Sequence, residues 1–453
     1  MARAATDSCR NSAHPGSDRA LAALILASCL VVPLVFTIAL QDTFALPKVT
    51  ALRIIVVVGL VLLAVRFVAG GVRMTAFVGP LDIAVLAFVL LNVAAFAFSV
   101  DPRQSLGGEK LQYQGLLSVL LYVGFFYLAR ISLRGERRLT LLFVSIAASG
   151  TAVAAYALVQ KAGLDPIWSY LPKGRVFSTI GQANALAAYL VLVIPVSASL
   201  LPRTQSLVRL IVFLCTGMMI AALAFTLSRG GYAGFAVAGS IMAFPLVRSL
   251  RLSPRGLLCA LVPCLTCAIV VASLVQPVRA AATQVWERAI SSPDSGDSSV
   301  RMHLDMWVVG AHIALDHPVM GTGQETYPEL FPDYRDTVLE PSHARAFVPF
   351  RPESPHNVYL AIASGSGFPA LAAYLALLAC FQYLVVRALK VARREWTRLA
   401  LAAILAAAAG HLVTDTFMTA EVTGSWLFWV LMGAGLGIAR ASQQQTDGRP
   451  PTG

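Results

Sequence analysis

The chain rarely runs 25 residues without an apolar stretch long enough to cross a bilayer. No other feature constrains the fold as strongly. A backbone in hydrocarbon must satisfy its hydrogen bonds within a helix or a closed barrel, and runs of roughly 20 residues select the helix. Hydrophobic residues make up 57% and charged residues 13%, with a mean hydropathy of +0.72, far from the soluble range. Spans are expected near Ala20–Leu40, Leu52–Val68, Leu81–Ser99, Tyr113–Leu128, Leu141–Val159 and Ala183–Leu201. The second half adds Leu207–Leu227, Tyr232–Val247, Leu257–Val275, Asn357–Val386, Leu399–Phe417 and Ser425–Ile438. The fold class is therefore an all-α polytopic membrane protein of about 12 transmembrane helices. Asn357–Val386 exceeds one upright crossing, so a break at Gly365–Gly367 or an extension beyond the bilayer is expected.

One polar block interrupts this pattern. From Gln276 to His356, roughly eighty residues hold five of the seven histidines. Lys and Arg are retained on the cytoplasmic side of short loops. With the N-terminus inside, 21 of the 35 basic residues fall in inside segments, and every inside loop carries at least two. Both termini are then cytoplasmic and the polar block lies outside. The same bias accounts for the formal charge of +12, so a nucleic-acid partner is not expected. The organisation that follows is a cytoplasmic tail over residues 1–19, nine helices over 20–275 and the large outer loop over 276–356. Three more helices occupy 357–440, and 441–453 is a Gln-, Pro- and Gly-rich tail expected to be disordered. The N-terminal segment lacks a signal-peptide pattern.

Cysteines add little. Cys29, Cys215, Cys259, Cys264, Cys267 and Cys380 fall within expected spans and Cys9 in the tail. Cys264 and Cys267 have the gap of a metal pair without a second pair, so packing is the favoured reading.

Polar residues collect at the outer ends of spans. Ser228-Arg229-Gly230-Gly231 reads equally as a helix-ending arginine before a turn, or as an arginine that pairs with a phosphate. Val300–Ala314 reads as a helix with Arg301, Asp305 and His312 on one face, where an Arg301–Asp305 surface ion pair is the plain alternative. His303, His312 and His317 match no metal-ligand spacing, and the Gly321-Thr322-Gly323 element lacks the context of a nucleotide loop. Ser354 is the expected cap of a helix beginning at Pro355. That places His356 in its first turn, where the helix dipole keeps imidazole neutral and able to accept a proton. Spacing alone favours a plain interfacial histidine.

The ordered set changes that weighting. It comprises Arg175 before a span opened by Asn184, then Ser228-Arg229-Gly230, Arg301 with Trp307, His317-Pro318-Val319-Met320-Gly321-Thr322-Gly323, and Pro355-His356-Asn357-Val358-Tyr359-Leu360. In this order, from about Arg175 to Trp429, the chain resembles the bacterial O-antigen ligase and polymerase superfamily. The resemblance implies a GT-C-like glycosyltransferase architecture in the inner membrane, with a periplasmic active site, no metal and no cofactor. It implies transfer of a polysaccharide from undecaprenyl diphosphate to a lipid A-core acceptor. On that resemblance Arg229 and Arg301 clamp the diphosphate and His356 activates the acceptor hydroxyl. Arg175 and Lys48 join the diphosphate site, with Asp415, Asn357 and Asp305 in support.

The chemistry is coherent in its own right. Outside the cytoplasm there is no nucleotide-sugar supply, so the donor must arrive activated on a membrane carrier. A diphosphate departs readily once its growing charge is stabilised, which arginines supply. One base then suffices for the acceptor hydroxyl, and in-line attack inverts the anomeric centre. A polymerase or a protein O-glycosyltransferase of the same superfamily would use the same parts. A flippase or transporter is the reading from another class. It should place charges in mid-span, whereas here they gather at one face.

Overall fold

The computed structural model describes residues 15–68, 79–250, 283, 298–349 and 351–446. All elements among these residues are helical. α1 (Pro15–Val31) gives way to a 3₁₀ turn at Val32–Leu34, so it stops short of the expected Leu40. Pro33 has no amide hydrogen with which to continue the helix. α2 (Ala45–Val68) starts earlier than the expected Leu52 because the Asp42 carboxylate accepts the backbone N–H groups of Phe44, Ala45 and Leu46. Lys48 thereby becomes a helical residue.

There follow α3 (Pro80–Ala97), the short α4 (Pro102–Gly107), α5 (Leu116–Ser132), α6 (Glu136–Lys161), α7 (Ala183–Ala198), α8 (Ser206–Phe225) and α9 (Arg229–Ser249). The described part of the polar block forms α10 (Ser298–Asp316), α11 (Tyr327–Val338) and α12 (Pro341–Ala346). α13 (Val358–Val391), α14 (Glu395–Asp415) and α15 (Val422–Thr446) complete the chain. Among the described residues nine helices are long and apolar enough to cross a membrane, and α5 is a shorter apolar helix. The expected span Leu257–Val275, with Cys259, Cys264 and Cys267, lies outside the described residues, as does Cys9. α15 continues to Thr446, so Ser442–Thr446 are helical where a disordered tail was expected.

α7 and α15 form the centre, with 94% of the apolar window of each buried, against 17% for α2 at the lipid-facing edge. Lipid tails provide little hydrophobic drive for helix association, so close backbone packing takes its place. Gly234 of α9 and Gly410 of α14 meet in this way. A Cβ at Gly234 would stand 2.6 Å from the Gly410 carbonyl oxygen, and one at Gly410 2.7 Å from that of Gly234. Arg130 of α5 forms a buried two-pronged ion pair with Asp82 of α3, whose carboxylate also accepts the Tyr127 hydroxyl.

The break expected in α13 is present at Gly367, at φ 82°. The His317–Gly323 turn docks against it. Phe368 N–H donates to the Pro318 carbonyl (2.8 Å), Thr322 N–H to Ser364 (3.0 Å) and Gly323 N–H to Gly365 (2.9 Å). A Cβ on Gly321 (φ 65°) would lie 2.4 Å from the Gly365 carbonyl carbon. The polar block is therefore wedged into the bundle, and this glycine-rich stretch serves its attachment.

Candidate active site

His356 stands immediately before α13. Asn357 is the cap: its side-chain oxygen accepts the Leu360 N–H at 3.1 Å, and the helix starts at Val358. This corrects the expectation that Ser354 caps a helix beginning at Pro355. Ser354 Oγ instead accepts the N–H of His356 itself (3.1 Å), and the chain passes through His356 at φ 51°. The sequence offers two capping side chains three residues apart, and Asn is as good a cap as Ser. His356 Nδ1 lies 3.1 Å from Thr419 Oγ1, which lies 2.6 Å from Ser354 Oγ. The ring meets His303 of α10 edge-on at 5.3 Å. Burial, and then His303, push the His356 pKa down to about 4, so the ring is neutral at physiological pH.

Arg229 opens α9 rather than ending α8, and Ser228 caps that helix by accepting the Gly231 N–H at 3.3 Å. This corrects the reading of a helix-ending arginine followed by a turn. The two glycines are helical, and a Cβ at Gly230 would lie 3.0 Å from the Phe417 Cβ. A cation at a helix N-terminus opposes the dipole, while an anion brought there is favoured by both the guanidinium and the backbone N–H groups.

Arg175 Nε donates to the Thr226 carbonyl (2.7 Å) and its Nη2 to Asn184 Oδ1 (2.5 Å). It thus ties the approach to α7 to the residues just before Arg229. Arg301 is exposed on α10, two residues before His303. Asp305 pairs with His343 Nδ1 of α12 at 3.1 Å. Lys48 is buried, and its Nζ donates to the carbonyls of Thr179 (2.6 Å) and Phe44 (3.2 Å). Asp415 ends α14 with an oxygen 3.6 Å from His411 Nε2.

The 416–421 connection joins these pieces. Phe417 packs against Trp307 of α10 at 6.1 Å and lies beside Gly230, while Thr419 contacts His356. Arg229, α10 and His356 are thus arranged around one loop. Behind it, a cavity of about 130 Å³ is lined by Asn357, Thr419 and Asp415 and continues to Glu325. Among the described residues no group of three or more His, Cys, Asp or Glu side chains could hold a metal ion.

Residues 210–375 match a family model described as O-antigen ligase. Over that stretch the chain is similar to the O-antigen ligase family. The matched stretch includes Arg229, Arg301, Asp305, His356 and Asn357; Arg175, Lys48 and Asp415 lie beyond it. No curated protein matches the chain.

The groups around the histidine carry no signal in the sequence. Thr419 and His303 carry no local signal, since their contacts with His356 span 63 and 53 positions of chain. Glu325 was missed as well. Its carboxylate accepts the backbone N–H groups of Glu109 (2.6 Å) and Gln114 (3.0 Å), and burial pushes its pKa up to about 8. Glu421, at the entry to α15, is likewise raised to about 8 by burial and then by Glu353 and Glu325. An acid directly preceding an apolar run was the available clue for Glu421.

Proposed function

We propose that this protein is an O-antigen ligase. It would transfer polysaccharide from undecaprenyl diphosphate to a lipid A-core hydroxyl at the periplasmic face of the inner membrane, with both termini cytoplasmic. The observation that carries the reading is the 416–421 connection, which holds His356 through Thr419 and packs Phe417 against Gly230, next to Arg229 at the start of α9.

The acceptor hydroxyl loses its proton to His356 Nε2 while its oxygen bonds to the anomeric carbon of the donor. The bond from that carbon to the diphosphate oxygen breaks on the opposite face, so the centre inverts. Thr419 can accept the Nδ1 proton, an arrangement that leaves Nε2 with its lone pair. Undecaprenyl diphosphate departs with its charge held by Arg229 and by Arg301 of α10, the source of stabilisation that matters most when charge develops. A resting pKa near 4 is low for a general base. Binding of the anionic donor beside the ring raises it, because a nearby negative charge favours imidazolium. Arg175 and Lys48, both engaged with backbone carbonyls, support the site by fixing the segment before α7. Asn357 sets the start of α13, Asp305 anchors α12 through His343, and Asp415 lines the cavity behind the base.

The test separates binding from chemistry. Arg229→Ala should weaken binding of undecaprenyl-diphosphate-linked glycan to the purified protein, whereas His356→Ala should bind it normally and fail to transfer it. Equal donor affinity in wild type and Arg229→Ala would exclude the clamp, and transfer by His356→Ala at the wild-type rate would exclude the base.

A further inference from the structure

The cavity beside His356 has a chemistry of its own. Its 130 Å³ is roughly ten times what one water requires, enough for a single pyranose. Two amides in its wall are nearly inaccessible, Gln112 at 4% and Gln324 at 6% exposure. Their orientations are set by their partners. Asn92 donates its Nδ2 to the Phe88 carbonyl (2.8 Å), so its Oδ1 is an acceptor, and it receives the Ser366 hydroxyl (3.0 Å). Gln324 Nε2 must then be the donor that reaches the Asn92 carbonyl (2.7 Å) and Oδ1 (3.0 Å). Gln112 Nε2 donates to the Glu353 carboxylate at 2.9 Å. That leaves both Oε1 atoms buried without a hydrogen-bond partner among the described residues. Such acceptors cost free energy unless a donor reaches them.

The rest of the wall narrows the choice of donor. Glu325, Glu353 and Asp415 line the cavity, and no arginine or lysine among the described residues does. An anionic ligand would meet carboxyl groups and lose its water without a counter-charge. Tyr122, Phe428 and Trp429 add aromatic surface of the kind that packs against the C–H face of a sugar ring. The diphosphate therefore belongs on the arginine side of the 416–421 loop, and the cavity is left for a hydroxyl-bearing group.

We infer that this cavity binds the acceptor's terminal unit as an uncharged sugar, through hydroxyls donated to Gln112 and Gln324, and excludes uronic or phosphorylated sugars. The inference rests on the proposed reading of His356 as the base that activates an acceptor. The ordinary hexose end of a glycolipid fits; its charged inner portion would stay outside.

Saturation-transfer NMR on the full chain in lipid nanodiscs, with methyl β-D-glucopyranoside and its 6-carboxylate, tests this without requiring turnover. The neutral glycoside should receive saturation at least tenfold more effectively than the uronide. Gln324→Leu and, independently, Gln112→Leu should abolish the signal, whereas Arg229→Ala should retain it. The second amide variant guards against misfolding, because among the described residues the Gln112 side chain donates to the exposed Glu353 alone. Glu353→Gln should raise the uronide signal. Equal signals from both glycosides, no signal from either, or a neutral signal that survives both amide substitutions would overturn the inference. Selective glycoside binding by a protein that forms no covalent product would instead sink the ligase reading and leave the cavity assignment standing.

Discussion

Replacing His303 by Gln should make His356 easier to protonate. The two rings stand 5.3 Å apart. At that separation two imidazolium charges repel by about 0.8 kcal/mol in bulk water and by about 3 kcal/mol at an effective dielectric of 20. These correspond to roughly 0.6 and 2.3 pK units. The whole displacement of His356 runs from 6.5 to about 4, and burial is the larger of its two causes. The share owed to His303 is the smaller of the two. The sign follows: the neutral ring is the working form, so activity falls as pH drops through the His356 pKa. His303→Gln moves that limb up, toward the ordinary histidine value. The assay is the pH dependence of kcat/KM, which reports the free enzyme, with histidine-selective NMR titration in nanodiscs as the direct check. In His303→Gln, rates at pH 7 should be nearly unchanged and those at pH 5 should fall below wild type. A limb that stays in place, or moves down, would refute the electrostatic coupling. In wild type, the kcat limb should lie above the kcat/KM limb, since bound diphosphate raises the pKa of the base.

Arg229→Ala should lower turnover by about 10²–10³, the usual cost of losing one donor to a developing oxyanion, and steady-state transfer would expose a milder loss. Gly321→Ala should lower the thermal midpoint in detergent, because φ 65° and a Cβ placed 2.4 Å from the Gly365 carbonyl carbon together cost at least about 1–3 kcal/mol; an unchanged midpoint would mean that the docked turn contributes no stability. Arg130→Ala should cost about 3–5 kcal/mol by leaving Asp82 buried and unpaired, and adding Asp82→Asn should recover part of it, read as thermal unfolding of single and double variants. Thr419→Val keeps the side-chain shape but removes the partner of His356 Nδ1; a loss of about 0.5–1.5 kcal/mol, or roughly two- to tenfold in kcat, is expected, and wild-type kcat would show that Thr419 does not orient the ring.

The helices were legible because their signals are local. Leu141–Val159 reads as an apolar run and is found inside Glu136–Lys161, and the α13 break announces itself through Gly365 and Gly367. Where local signals compete, they mislead. Ser354 and Asn357 are both good caps, and packing chose Asn357. Arg229 sits at a junction whose composition suits a helix end or a helix start, and only the Ser228 bond to Gly231 decides. The remaining misses are long-range by nature. Glu325 is held by amides more than 200 positions away, and the His317–Gly323 turn docks on backbone more than 40 positions downstream. No periodicity reports such contacts. The residues that line the cavity, drawn from five apolar helices and several connections between them, were invisible for the same reason.

One reaction tests the proposed ligase activity directly. Purified protein in nanodiscs would be supplied with undecaprenyl-diphosphate-linked glycan and lipid A-core, in EDTA and without nucleotide, and products resolved by mass. A ligase yields a new high-mass glycolipid and releases undecaprenyl diphosphate, with both lost in His356→Ala and lowered by about 10²–10³ in Arg229→Ala. Lengthening of the donor glycan with lipid A-core untouched, or no covalent product from folded wild-type protein, would contradict it.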